Sequence, residues 1–148
     1  MITDKLTIYG DKENKECISA LVERCAQVLG AESFSTQVYT EPLSEDISFD
    51  KDAQCVVVEY NDKDKVPERV RCVTYSFSDN RSDVMALNLQ HREYSDCFEL
   101  LHKVFMSRIF IPHTSGYTPK QALICAAILL SSGVSAERIV ETINEILK

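Results

Sequence analysis

The sequence predicts an α/β protein: one domain, residues 1–148, built on a mixed sheet that ends in an antiparallel meander and two C-terminal helices. Three observations carry that prediction. "QCVVVEY", residues 54–60, is a continuous β-branched run, as in strands covered on both faces. "DVMALNLQ", "YSDCFELL" and "KVFMSRIFI" follow one another with short polar breaks, the pattern of adjacent antiparallel strands. The remaining C-terminal stretch then changes to helical spacing.

The elements can be justified in order. Lys5 to Tyr9 is a short apolar run and reads as the first strand. From about Asn14 to Leu29, the residues Cys17, Ile18, Leu21, Val22, Cys25, Val28 and Leu29 recur at helical spacing, and Gly30 is a natural stop. "SFSTQVY", Ser33 to Tyr39, alternates as a strand does. "TEPLSEDISFDKDA" is acidic and rich in turn formers, so it reads as a surface connection. After the 54–60 strand, "NDKDKVPER" reads as a charged loop and Arg71 to Phe77 as another strand. The meander breaks at "HRE" and near His102-Lys103, and Pro112 ends it. Thr118 as N-cap, Pro119 at the first helical position and Gly133 at the end frame an apolar helix. In "SAERIVETINEILK" Glu137 stands in the first turn, where the helix dipole favours an acid. Ile139, Val140, Ile143, Ile146 and Leu147 form the apolar face of that last helix.

Composition narrows the function classes. A chain of 148 residues with 45% hydrophobic and 26% charged content can bury the core of one domain. The net charge of −7 and a pI of about 5.0 argue against binding to nucleic acid or to an anionic membrane, both of which need a basic surface. Ala122 to Val134 is the longest mainly apolar stretch and is shorter than the about 20 residues of a bilayer span. The N-terminus shows no signal-peptide pattern, so the expected compartment is the cytoplasm. Cys17, Cys25, Cys55, Cys72, Cys97 and Cys125 form no C-x-x-C pair and sit mostly in apolar patterns, so they are expected as free thiols. His91, His102 and His113 do not pair with them at zinc-finger spacing.

The stretch "LTIYGDKENKECISAL" carries the main chemical question. Strand, glycine, lysine, helix is the layout of a phosphate-binding loop, which makes Gly10, Asn14 and Lys15 the candidate nucleotide-binding residues. The motif G-x-x-x-x-G-K-[ST] also requires a second glycine and a hydroxyl that holds Mg²⁺. Here Asn14 precedes Lys15, Glu16 and Cys17 follow it, and Asp11, Glu13 and Glu16 add negative charge. No catalytic residue is assigned. His113 and Ser115 supply a base and a nucleophile without a third partner and read as a surface turn. Asp46, Asp50 and Asp52 miss the calcium-loop spacing and have no loop glycine. Asp79, Arg81 and Asp83 read as a solvated loop.

Two longer stretches resemble a known family. "CVTYSFSDNRSDVMALNLQHREYSDCFELL" is similar to a strand ending in threonine-tyrosine followed by strands on the patterns "aDv.a.ni" and "F.l". "SGYTPKQALICAAILLSSGVSAERIVETINEIL" is similar to a segment G-x-H-N-x-x-N-A-L-A-A, an apolar helix and a short helix ending in I-x-x-x-L. Both patterns belong to the central, ATP-binding domain of the Mur ligase family, which includes folylpolyglutamate synthetase. On that alignment Ser115 takes the place of the glycine, Tyr117 that of the histidine, and Thr118 and Gln121 those of the two asparagines. "LTIYGDKENKECISAL" then aligns with "iTGTNGKTTt..l", keeping Gly10 and Lys15 with one extra residue between them. "QCVVVEYND" matches in two ways: as the strand ending in the magnesium-binding glutamate, which gives that role to Glu59, or as the strand "vlNaDDp", which puts Asp62 on an aspartate.

The resemblance implies a P-loop-like sheet, with ATP and magnesium as the family's cofactors and acid–amino-acid ligation as its activity. Three readings stay open at this point. The first is a shortened, degenerate relative without ligase activity that acts as a binding or interaction module, alone or as a homodimer. The second is the ATP-binding subunit of a ligase assembled with partner chains. The third is an α/β domain whose likeness is coincidental.

Overall fold

The computed structural model describes residues 6–31, 34–45, 47, 49 and 52–148. Among these residues, strands β1 (Leu6–Tyr9), β2 (Thr36–Tyr39), β3 (Cys55–Glu59), β4 (Arg71–Ser76), β5 (Val84–His91), β6 (Ser95–His102) and β7 (Phe105–Pro112) form one sheet in chain order. β1 through β5 pair in parallel, and β5–β6 and β6–β7 pair antiparallel. Helices α1 (Lys12–Leu29), α2 (Pro119–Ser131) and α3 (Ala136–Leu147) complete the domain, with short 3₁₀ turns at Tyr60–Lys65 and His113–Ser115. The mixed sheet, the meander and the two C-terminal helices are the architecture expected from the sequence. Lys5 and Ser33, the expected first residues of two strands, lie outside the described residues.

Cross-strand register explains the main core. Ile8, Val38, Val57 and Val73 are successive partners across β1 to β4, so their side chains line one face of the sheet. α1, α2 and α3 all pack on that face, with Ile18, Leu21 and Val22 from α1 and Ile139 and Ile143 from α3. α2 lies between the sheet and the other two helices, and Gln121 to Leu129 are buried without a break. This position accounts for a helix that is apolar all round.

On the opposite face, Val56 and Val58 are fully buried with Tyr39, Leu43, Val66 and Val70, and Ile47 and Phe49 pack against them. Two sequence expectations need correction here. The stretch from Thr40 to Ala53 is more than a surface connection, because Leu43, Ile47 and Phe49 cover the sheet. The charged loop 61–69 likewise buries Val66, and with it Val70. No helix among the described residues covers this face. The connections supply the apolar cover that parallel strands need on both sides.

The helix ends follow from local chemistry. α1 begins at Lys12, ahead of the expected Asn14, because Asp11 is the N-cap. Thr118 and Gln121 form a reciprocal capping box at α2, with Pro119 in the first turn. At the far side of the sheet, Phe110 N–H donates to Asn144 Oδ1 at 2.9 Å, and Asn144 Nδ2 donates to the Arg108 carbonyl at 2.9 Å, so α3 occupies the outer edge of β7.

Candidate functional site

The parallel strands end side by side at Tyr9-Gly10, Tyr39-Thr40, Glu59 and Ser76. In open α/β sheets, ligands bind in the crevice beyond such carboxyl ends. Gly10 makes the first close contact of this rim. Thr40 donates to the Tyr9 carbonyl through its N–H and its Oγ1, each at 3.0 Å. A Cβ built on Gly10 would lie 1.8 Å from Thr40 Oγ1, and the Gly10 φ of +151° is one that L side chains rarely adopt.

Beyond Gly10, a single residue separates the strand turn from the helix. Asp11 Oδ1 accepts from the Asn14 N–H at 2.8 Å, and its Oδ2 accepts from Asn14 Nδ2 at 3.0 Å. Asn14 Oδ1 in turn accepts from Gln121 Nε2 at 2.9 Å. Gln121 Oε1 accepts from the Thr118 N–H at 3.1 Å, and Thr118 Oγ1 accepts from the Gln121 N–H at 3.2 Å. One side-chain relay therefore joins the N-termini of α1 and α2. Lys15 stands in the first turn of α1, exposed, with its N–H bonded to the Asp11 carbonyl at 3.0 Å. A neighbouring exposed pair, Lys12 and Glu16, is 3.9 Å apart.

A cavity of about 400 Å³ opens beside this rim. Thr40, Glu59, Tyr75, Phe77 and Lys120 line it, together with residues of the two connections that cross the second face. Lys120 is paired with Glu41 at 3.5 Å. Glu59 Oε2 accepts from the Asn61 N–H at 2.7 Å and caps the 3₁₀ turn. Asp62 is buried and committed: its Oδ2 accepts from the Leu43 N–H at 3.1 Å, and Lys65 Nζ lies 3.2 Å from its Oδ1. Tyr75 donates its hydroxyl to the Tyr39 carbonyl at 2.7 Å. Burial, and then the nearby Glu59, raises its phenol above the ordinary value. The Tyr39 ring stacks on Tyr9 at 4.8 Å, and its phenol is pushed up to about 12 by burial and by Tyr9.

This placement decides which sequence candidates share a site. Gly10, Asn14 and Lys15 meet at the start of α1, while Glu59 faces the adjoining cavity. His113 and Ser115 are engaged separately: His113 Nε2 lies 3.2 Å from Asp96, and Ser115 Oγ accepts from the Tyr117 N–H at 3.2 Å. Of the loop expected to be solvated, Asp79 and Arg81 pair at 2.8 Å, and the Arg81 guanidinium lies 5.1 Å from the centre of the Tyr60 ring. Asp83 instead ties the loop to β4 by accepting from Thr74 N–H and Oγ1. Asp46 and Asp50 lie outside the described residues. Among the described residues, no group of three or more His, Cys, Asp or Glu is placed to hold a metal ion. No helix among them is long and apolar enough to cross a membrane. Thr40, Phe77 and Lys120 are rim residues that sequence reasoning did not single out. For Thr40 and Lys120 the available signal was position, immediately after a strand or at a helix start.

No family model and no curated protein matches the chain. Among solved structures, 97% of the chain superposes on the UDP-N-acetylmuramoylalanyl-D-glutamyl-2,6-diaminopimelate–D-alanyl-D-alanyl ligase of Acinetobacter baumannii, with a TM-score of 0.58 and 12% identity. The fold is Mur-ligase-like. A second structure of that enzyme, named MurF, matches over 95% of the chain with a TM-score of 0.58 and 13% identity. A UDP-N-acetylmuramoyl-L-alanyl-D-glutamate–2,6-diaminopimelate ligase matches over 74%, with a TM-score of 0.51 and 13% identity. The chain covers 46%, 44% and 28% of these structures respectively, less than half of each. At 12% and 13% identity the likeness speaks for the fold alone.

Proposed function

We propose that this Mur-ligase-like domain is a binding module without ligase activity, and that its phosphate-loop position does not take Mg-ATP. The observation that carries the reading is the Asp11 carboxylate, seated on the α1 N-terminus where a nucleotide phosphate would sit. An internal anion already satisfies the N–H group there and meets the helix dipole. A triphosphate would have to displace it and would also face Glu13 and Glu16. At an effective dielectric of about 20, each unit repulsion at about 5 Å costs roughly 2–4 kcal/mol before salt screening.

The residues present do not match a magnesium triphosphate either. The position after Lys15 is Glu16, which has no hydroxyl ligand for the ion, and Glu59 spends one carboxylate oxygen on the Asn61 N–H. The adjoining cavity carries Glu41, Glu59 and Asp62, and the lysines beside it, Lys120 and Lys65, are already paired with Glu41 and Asp62. Such a field suits a neutral or cationic ligand better than a polyphosphate.

Titration calorimetry with ATP, with and without Mg²⁺, tests the reading. No micromolar binding is expected in either case. Micromolar Mg-ATP binding that Lys15→Ala abolishes would overturn it in favour of an ATP-binding ligase subunit working with partner chains.

A further inference from the structure

The meander has one face turned away from the helices. Register places Met85, Leu101 and Met106 in one row on it and Leu87, Glu99 and Arg108 in the next, with Cys97 beside Phe110 beyond them. On the other side of the same strands, Phe98, Leu100, Ile109 and Ile111 belong to the main core. On the outer face Met85 and Cys97 are buried, but Met106 is 53% exposed and Phe110 44%, so its β7 side stands open. The second apolar cluster, which closes over β2–β4, includes no residue of β5, β6 or β7.

Two observations select a second copy of the chain as the occupant. The first is charge. The chain carries a net −7, so two copies repel over most of their surfaces. These rows of the outer face carry one acid and one base, Glu99 and Arg108, 3.3 Å apart and mutually neutral. A two-fold axis beside the pair brings Glu99 of each copy to Arg108 of the other, so neither charge is buried alone. Arg108 also lies 6.0 Å over the Phe110 ring, which holds the guanidinium against the apolar surface. The second is the state of the β7 edge. Asn144 occupies its backbone at Arg108 and Phe110, so edge-to-edge strand pairing is closed there while the face stays open.

We propose that two copies of this chain associate face to face through the outer surface of β5–β7, about a two-fold axis near the Glu99–Arg108 pair. The interface resembles two packed sheets about 10 Å apart, with Met106 and Phe110 as its apolar anchors. The proposal does not depend on the reading of the nucleotide site.

Sedimentation equilibrium tests it. The wild-type chain is expected to dimerise. Phe110→Glu and Met106→Glu, both at exposed positions and checked for intact circular dichroism, are expected to weaken the dimer at least about tenfold. Glu99→Arg and Arg108→Glu make the face doubly positive and doubly negative, so each alone is expected to be monomeric. Their equimolar mixture is expected to restore a dimer, because each face then meets its opposite. A wild-type monomer at all concentrations would leave the face to a different protein and overturn the proposal. So would a dimer indifferent to Phe110→Glu, or a mixture that stays monomeric.

Discussion

β1–β4 is covered on both faces, by helices on one side and by its own connections on the other, whereas β5–β7 is covered on one face only. The two regions belong to one sheet, and their difference follows from strand direction. Parallel strands are joined by long crossovers, and those connections become cover. Antiparallel strands are joined by tight turns such as His102-Lys103-Val104-Phe105, which leave nothing to lay across the sheet. The covered half collects polar side chains at its carboxyl rim, and the open half collects exposed apolar ones.

Core substitutions should separate the halves most sharply. Ile128 and Val57 are fully buried where α2 meets the covered half. Ile128→Ala is expected to lower unfolding free energy by about 2–5 kcal/mol in urea titration, and Phe110→Ala on the open face by well under about 1 kcal/mol in the monomer. Equal losses would mean that the open face is packed.

Gly10→Ala comes next. The added methyl meets Thr40 Oγ1 in a backbone conformation that alanine resists. A loss of about 1–3 kcal/mol is expected. Thr40→Ala in the same background should not add its full single-mutant effect, because it removes the Oγ1 that the new methyl meets. Strict additivity would show that the clash is relieved elsewhere.

The Asp11 cap is worth less. Asp11→Ala is expected to cost about 0.5–2 kcal/mol, and Asp11→Asn much less, since asparagine also caps well. If the carboxylate were held open for a ligand instead of capping α1, Asp11→Ala would leave stability unchanged.

The smallest effect should lie in the open half, at Asp96. Burial works against the Asp96 carboxylate, but hydrogen bonds from His91 and His113 outweigh it and hold its carboxyl below the usual range. A depressed carboxyl contributes stability that is present above its unfolded value of about 3.9 and is lost as pH falls through the lower folded value. Asp96→Asn is therefore expected to flatten the acid limb of the stability curve below about pH 4, with an amplitude under about 1 kcal/mol for so exposed a cluster. An unchanged acid limb would remove Asp96 from that account.

Element order was legible in the sequence because the periodicities are strong. The β-branched run at 54–60, the meander and both C-terminal helices fall where their patterns put them. Less legible was the role of connections. Leu43, Ile47 and Phe49 stand among acidic residues at irregular spacing, and only the bare second face of β2–β4 explains why they turn inward. The rim was half legible. Gly10 stood out as a glycine after a strand, but its reason, the approach of Thr40, depends on a strand that lies far along the chain and pairs beside it. Asp11 looked like charge near a phosphate loop, and its capping bond to Asn14 shortens that loop to a turn. The link from Asn14 to Gln121 spans 107 positions and leaves no local trace.

The bond between α3 and β7 has a consequence for behaviour at high concentration. A side-chain amide sets an N–H donor beside a carbonyl acceptor, as a peptide group does, and Asn144 presents both to β7. It acts as an extra strand one residue long, after which there is no further strand to copy. Sheets that end in unsatisfied backbone can template the addition of other chains and grow into fibrils. Asn144 terminates this stretch of the β7 edge, and Asn144→Ala should show it as faster thioflavin-positive assembly without a large change in the folded state.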